Sequence, residues 1–358
     1  MDIAPARLLE VTRRLLRYAG SHADEAEVVS DHLVGANLAG HDSHGVGLLP
    51  FYVRSIGKGW LEPNTRAKLV RDEGALLSFD GGYGYGQAVA REAMLAALER
   101  CRDTGLVLMT LRDAHHIGRV GSYGEQSIAA GFVSIHFVNV IDHDPLVAPY
   151  GGRYARYGTN PICVAMPGGA ESPPILLDMA TSTYPLGKTR VAMNKGETLP
   201  DGIVLDPDGE PSNDPSVMFK QPGGALLPLG GELGGHKGYG LAFVFELLAG
   251  GLSGGGTIQP GTPRRGGIVN NMTTIVIDPA RLVEQPWLEH ELDALVRYSL
   301  DTPANAHGPV KLPGEPERTT AAARRDRIPI DPTTWSAILA AGEQVGLTQT
   351  EVAAVLEG

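Results

Sequence analysis

Residues 40–55 read GHDSHGVGLLPFYVRS, and everything else in the chain is best understood outward from them. Two histidines and an aspartate (His41, Asp42 and His44) stand among glycines, which let backbone and ligand approach closely. An apolar and aromatic run follows at once. A second cluster, DAHHIGRVGSYGEQ, occupies residues 113–126. Two His-Gly clusters in one chain point to proton-transfer chemistry, because histidine titrates near neutral pH.

Composition narrows the classes of partner. The chain has 358 residues, enough for two or three domains, and a formal net charge of −11, which argues against nucleic acid or an anionic membrane as partner. Cys101 and Cys163 are the only cysteines, so no disulfide framework is implied and a cytoplasmic setting is expected. The first residues lack the apolar core of a signal peptide, and no run is apolar for long enough to span a bilayer. The 47 glycines exceed the usual share of about 7%; having no period, they mark tight turns.

Leu8, Val11, Leu15 and Leu16, then Val29, Leu33 and Val34, recur at helical spacing. The chain therefore opens with two amphipathic helices, the second ending near Gly40 with His44 just beyond it. Strand-length apolar runs follow from residues 75, 105, 132, 162, 174 and 273, each bounded by glycine, proline or aspartate. Helical patterns at 87–102, 120–130 and 237–250 make the middle an α/β region. Residues 196–235 and 253–270, rich in glycine and proline, read as long loops. The tail from Asp331 carries two short helices with Thr333 and Thr348 as caps.

Several site readings compete. DGGYGYG at 80–86 follows a strand and precedes a helix, but after Gly84 and Gly86 the third position is Val89, so the dinucleotide fingerprint fails. No HExxH and no paired-cysteine motif supports a metal, and no GxSxG makes Ser43 a nucleophile. LDMATS at 177–182 ends a strand with Asp178 and two hydroxyls, where open α/β sheets place ligands; Asp178 is a candidate to orient a histidine. His236, Lys237 and Gly238 read as the opening of a helix, a place where lysine and backbone amides hold phosphate. Asn160, in the turn GTNP, is a candidate partner for a cofactor amide.

Taken together, DSHGV (42–46), HIG (116–118), APYGG (148–152), GTNP (158–161), LDMATS (177–182), HKGYGLA (236–242) and PGE (313–315) resemble the malate/L-lactate dehydrogenase family, and AGHDSHGVGLLPFYVRS, HHIGRVG, GFVSIHFV and GKTRVA are similar to its hydroxycarboxylate dehydrogenase B branch. The resemblance implies an α/β, L-sulfolactate dehydrogenase-like fold, with a large mixed sheet flanked by helices in place of a Rossmann domain. It implies a helical domain formed by both termini (1–75 plus 300–358), an α/β cofactor-binding and catalytic domain (76–299), and a homodimer. His44, His116 and Asp178 are implied as catalytic, and Ser43, Leu48, Tyr52 and Arg54 as substrate-binding. Val140, Gly158, Thr159, Asn160, Asp178, Met179, Ala180, Thr181, Lys188, His236, Lys237, Gly238, Pro313, Gly314 and Glu315 are implied to hold NAD or NADP. No metal is implied.

One departure bears on the substrate. Many family members carry arginine where this chain has Leu48, so a bidentate carboxylate clamp is lost there, leaving Arg54, Arg119 or backbone amides for that role. The expected reaction is hydride transfer between NAD(P)H and a small 2-oxo acid with an apolar or aromatic side chain, with His44 (oriented by Asp178) or His116 handling the proton. Rival expectations are a cyclic-imine reductase of the piperideine-2-carboxylate type, a malate, lactate or ureidoglycolate dehydrogenase, and a non-catalytic binding protein on the same fold.

Overall fold

The computed structural model describes residues 1–357, the side chain at position 194 excepted. The chain opens with strand β1 (Asp2–Ile3) and helices α1 (Pro5–Tyr18) and α2 (Ala23–Leu38). Pro5 takes the first helical position, where its missing N–H costs nothing. Leu8, Val11, Leu15 and Leu16 form the buried stripe of α1, each side chain contributing roughly 2 kcal/mol. Past α2, two single 3-10 turns, Asp42–His44 and Val46–Leu48, lead into α3 (Leu49–Gly57).

The sheet-forming part runs β2 (Lys68–Glu73), β3 (Leu76–Asp80), α4 (Gly86–Thr104), β4 (Leu106–His115), α5 (Gly121–Ala129), β5 (Val133–Ile141), β6 (Ile162–Met166) and β7 (Ile175–Met179). Then come α6 (Leu186–Lys195), the short strands β8 (Val204–Leu205), β9 (Pro211–Ser212) and β10 (Ala225–Leu226), and α7 (Gly231–Phe245), which continues as a π-helical turn over Glu246–Gly251. β11 (Val269–Ile277), α8 (Gln285–Leu300), α9 (Glu315–Arg324), β12 (Ile328–Pro329), α10 (Pro332–Val345) and α11 (Gln349–Glu357) complete the order.

Seven strands form one sheet in the order β2-β3-β4-β11-β5-β6-β7. β3 and β4 run parallel and the other neighbours antiparallel, so the sheet is mixed, as expected from the resemblance. β11 lies at its centre, almost wholly buried, and its polar residues Asn270, Asn271 and Thr273 are held there by hydrogen bonds to Asn139 and to Leu248 C=O. One core packs α4 and α5 on the sheet through Val89, Met94, Tyr123, Met109 and Met272. A second joins the two ends of the chain, with Leu16, Leu33 and Tyr52 packed among Trp335, Ile338 and Val355. Asp2 and Ile3 pair with Pro329 and Ile328.

Four features differ from the sequence reading. Residues 196–235 are not all loop: β8, β9 and β10 form a small antiparallel sheet there. Helix α7 starts at Gly231, five residues before His236, so Lys237 lies in its second turn and the phosphate-binding geometry of a helix N-terminus is not its own. β2, within residues 1–75, pairs with β3 at the edge of the large sheet. At the C-terminus Asp331, not Thr333, caps α10, accepting from Thr334 N–H, while Thr348 caps α11 through a reciprocal pair with Glu351.

Candidate active site

The two histidine clusters meet. β4 delivers His115 and His116 to the end of the sheet, and the turn after it is pinned on three sides. Asn270 of β11 accepts Ile117 N–H at 3.0 Å. His32 of α2 accepts Arg119 N–H at 2.9 Å. Gly118, at φ +74, lies so close to His32 that a Cβ would fall 2.3 Å from its Nε2. From the other side, the 3-10 turns after α2 present His44, whose Nδ1 lies 3.3 Å from His116 Nε2. Ring centroids 5.4 Å apart and planes within 11° leave the rings edge to edge, the arrangement an in-plane N–H···N bond requires. The second nitrogen of His116, Nδ1, meets the Tyr52 hydroxyl at 2.8 Å, and Gln87 Nε2 donates to that hydroxyl at 2.6 Å.

Burial governs the charge of this pair. It brings His44 down to about 4, helped by the positive charges of His41 and Arg119, and it takes His116 well below its ordinary range. Both rings are neutral at neutral pH. Tyr52 is pushed up by the same cause and stays protonated. His116 has both nitrogens engaged, whereas His44 Nε2 has no hydrogen-bond partner among the described residues.

Asp178 is not the orienting carboxylate of His44. It accepts Gly121 N–H at 2.7 Å and lies 3.8 Å from Arg119 Nε; no hydrogen bond joins it to His44, whose ring is held by His116 instead. The reason is topological: Asp178 ends β7, two strands beyond β5, and faces α5. Burial raises its carboxyl while Arg119 opposes the rise. Arg119 is buried, donates to Glu125 at 2.8 Å, and keeps Nε and Nη2 without a hydrogen-bond acceptor.

The other candidate positions fall into two groups. Ser43 is exposed and packs on Gly187 at the start of α6, next to Lys188, which sits over the Tyr184 ring. Leu48 is half-buried against the helical core. Arg54 is exposed, its guanidinium over Phe51 at 5.3 Å from the ring centroid. The remaining residues form a continuous belt. Pro313 C=O accepts Leu176 N–H and Glu315 accepts Leu312 N–H, tying Pro313, Gly314 and Glu315 to β7. Past Asp178, Met179 and Ala180, the Thr181 N–H and hydroxyl both donate to Thr159 C=O. Leu229, against which Gly238 packs, donates to Thr181 C=O. Gly158 lies against Val140 and Asn160: its missing Cβ would come within 3.0 Å of Asn160 Oδ1 and 3.2 Å of Val140 Cβ. His236 and Lys237 are exposed on α7. A groove of about 940 Å³ opens beside β7, lined by His32, Gln87, Arg119, Tyr123, Leu176 and Gly314.

Three supporting residues had no signal in the sequence. Gln87, Asn270 and Glu246 are buried polar groups whose partners lie far away along the chain, so no local spacing marks them. Among the described residues no group of three or more His, Cys, Asp or Glu side chains is placed to hold a metal ion.

A family model described as malate/L-lactate dehydrogenase matches residues 3–339. The chain belongs to the malate/L-lactate dehydrogenase family. It is 45% identical to an L-lactate dehydrogenase of Cupriavidus necator over 94% of this chain and 95% of that protein. To a hydroxycarboxylate dehydrogenase B of Escherichia coli O157:H7 it is 44% identical, over 94% and 92%. The solved sulfolactate dehydrogenase of Methanocaldococcus jannaschii superposes with a TM-score of 0.84 at 29% identity, covering 97% of this chain and 98% of that one. This malate/lactate-type hydroxycarboxylate dehydrogenase is therefore an oxidoreductase acting on a small molecule, in a family whose members generally use a nicotinamide cofactor. Among the described residues no helix is long and apolar enough to cross a membrane.

Proposed function

We propose that this dehydrogenase transfers a hydride between NAD or NADP and a 2-oxo/2-hydroxy carboxylic acid with an apolar or aromatic side chain. The observation that carries the reading is the hydrogen-bonded pair of half-buried His44 and buried His116, with Nε2 of His44 left free. The belt from Gly314 past Asp178 and Thr181 to Asn160 and Val140 fits a nicotinamide dinucleotide. It contains a buried acceptor, Asn160 Oδ1, without a partner among the described residues, and its Gly314 end lines the groove beside β7. Lys188 and Lys237 are exposed cations suited to its phosphates. Bound there, the cofactor supplies or accepts the hydride.

The protein's own part is positioning and proton handling. His44 Nε2 meets the reacting oxygen, exchanging the proton in either direction, and His116 fixes the ring from behind. As in triosephosphate isomerase, a neutral imidazole suffices to polarise a carbonyl. Arg119, three residues past His116 in the same pinned turn and with Nε and Nη2 lacking a hydrogen-bond acceptor, is assigned the substrate carboxylate in place of the arginine missing at position 48. Leu48 offers nothing to a second carboxylate, and Arg54 is engaged over the Phe51 ring. Assaying phenylpyruvate, branched 2-oxo acids and oxaloacetate with NADH and with NADPH tests this; activity on none of them removes the reading.

The two-part organisation, a helical unit from both termini beside the α/β unit to which β2 (Lys68–Glu73) also belongs, and the cytoplasmic homodimer belong to the same proposal. The shared core of both termini favours the first. Exposed Leu233, Phe243, Val244 and Leu247 along α7 and its π turn favour the dimer. Sedimentation measurements test it, and a monomer at micromolar concentration overturns it.

A further inference from the structure

Four side chains form one line of hydrogen bonds: Gln87 Nε2 to Tyr52 Oη at 2.6 Å, Tyr52 Oη to His116 Nδ1 at 2.8 Å, and His116 Nε2 to His44 Nδ1 at 3.3 Å. Each link accepts from one neighbour and donates to the next, so the direction of the first fixes the rest. An amide nitrogen can only donate. Tyr52 oxygen therefore accepts from Gln87, and His116 Nδ1 is the one partner left among the described residues to which its buried O–H can donate. His116 carries its hydrogen on Nε2 and donates it to His44 Nδ1. His44 is then left with its hydrogen on Nε2, the one nitrogen of the pair that faces no protein group.

Two observations support this direction. Gln87 is 1% exposed and its Oε1 has no partner. As placed, the amide leaves its carbonyl and one of its two N–H groups unpaired; turning it over would leave both N–H groups unpaired, and unpaired donors are the rarer case in protein interiors. The position is also rigid. Gln87 is the second residue of α4, and at the first, Gly86, a Cβ would fall 2.1 Å from His115 C=O. The start of α4 is thereby seated on the backbone of the histidine turn. Tyr52 is held edge-on by Tyr85, ring centroids 5.6 Å apart.

We propose that Gln87 is a positioning residue which, acting through Tyr52, sets the tautomer of the His116–His44 pair, so that the free enzyme offers an N–H at His44 Nε2 and prefers the 2-oxo acid, a pure acceptor at that atom, over the 2-hydroxy acid. The preference rests on the function proposed above; the tautomer does not. A hydrogen donor at that point favours a carbonyl oxygen. The reversed line, in which Tyr52 donates to Gln87 Oε1, leaves Nε2 bare and favours a hydroxyl.

The experiment is nitrogen NMR of the ligand-free, full-length protein labelled at histidine, with Gln87→Met, Tyr52→Phe and the double variant alongside. In the unaltered protein both His44 and His116 should carry their hydrogen on Nε2. Gln87→Met should let His116 populate the Nδ1–H form. It should also narrow the ratio of dissociation constants between the 2-oxo and 2-hydroxy acid by roughly fivefold, the worth of about one hydrogen bond. Tyr52→Phe should abolish the effect of Gln87→Met, because the signal passes through the hydroxyl. A His116 that carries Nδ1–H in the unaltered protein, or a Gln87→Met variant with unchanged tautomers, overturns the proposal. If the tautomers follow Gln87 but no 2-oxo acid binds, the assigned substrate is wrong and the tautomer control stands.

Discussion

Two buried polar clusters flank β11, and they are built to opposite ends. At one, His44 and His116 are neutral rings with a nitrogen left free. At the other, Glu246 in the π-helical turn accepts Asn139 Nδ2 at 2.8 Å, Ile258 N–H at 2.6 Å and Asn160 Nδ2 at 2.6 Å. Asn270 links them, accepting Ile117 N–H and donating to Asn139 C=O at 2.9 Å. The first cluster withholds hydrogen bonds that a ligand can complete. The second gives its carboxylate three donors, which makes burial of a charge tolerable. One is reactive because it is incomplete, and the other is rigid because it is nearly complete.

That contrast is most sharply broken by alanine at each end. His44→Ala and His116→Ala should each lower turnover by roughly 10²–10⁴ while leaving unfolding by urea close to normal; near-normal steady-state turnover in either removes that residue from the chemistry. Glu246→Ala should do the reverse. It strands three buried donors, and a loss of about 3–5 kcal/mol in urea denaturation is expected. A loss below about 1 kcal/mol would show that the second cluster is not the scaffold described.

The pH profile sharpens the difference further. A base works when deprotonated, and His44 is brought down to about 4. Efficiency in the oxidation direction should therefore hold as pH falls and be lost only near pH 4. An ordinary histidine would already have lost roughly 30-fold at about pH 5. A profile that breaks near its ordinary value of about 6.5 would mean that the ring is better solvated than its surroundings here imply. The smallest expected effect is at Leu48. Leu48→Arg should move the preference toward oxaloacetate by roughly tenfold; if the unaltered enzyme already favours oxaloacetate over phenylpyruvate, the argument from Leu48 is wrong.

Much of this was legible beforehand. All six apolar runs singled out in the sequence form strands of the large sheet, because each turns part of its length into the interior, where apolar side chains are favoured. β2 escaped notice since all six of its residues are exposed at the sheet edge, where no burial pattern is imposed. Glycines 230, 231, 234 and 235 hid the first turn of α7, their poor helix propensity being overridden by packing. α8 escaped as well, burying only Leu292 and Asp293.

By itself the sequence determined which residue types are present and where the chain turns: the histidines among glycines, the strand that ends in Asp178, the leucine at position 48. Periodicity and motif order are local properties, and they suffice for elements and for family. Only the tertiary structure decided the pairing. It gave His44 to His116 and Asp178 to Arg119 and Gly121, and it brought Gln87 to Tyr52 and Glu246 to Asn160 across 35 and 86 residues of chain. A hydrogen bond depends on ångströms and angles between groups that the fold alone brings together, and a buried polar residue leaves no periodic trace of the partner it will need.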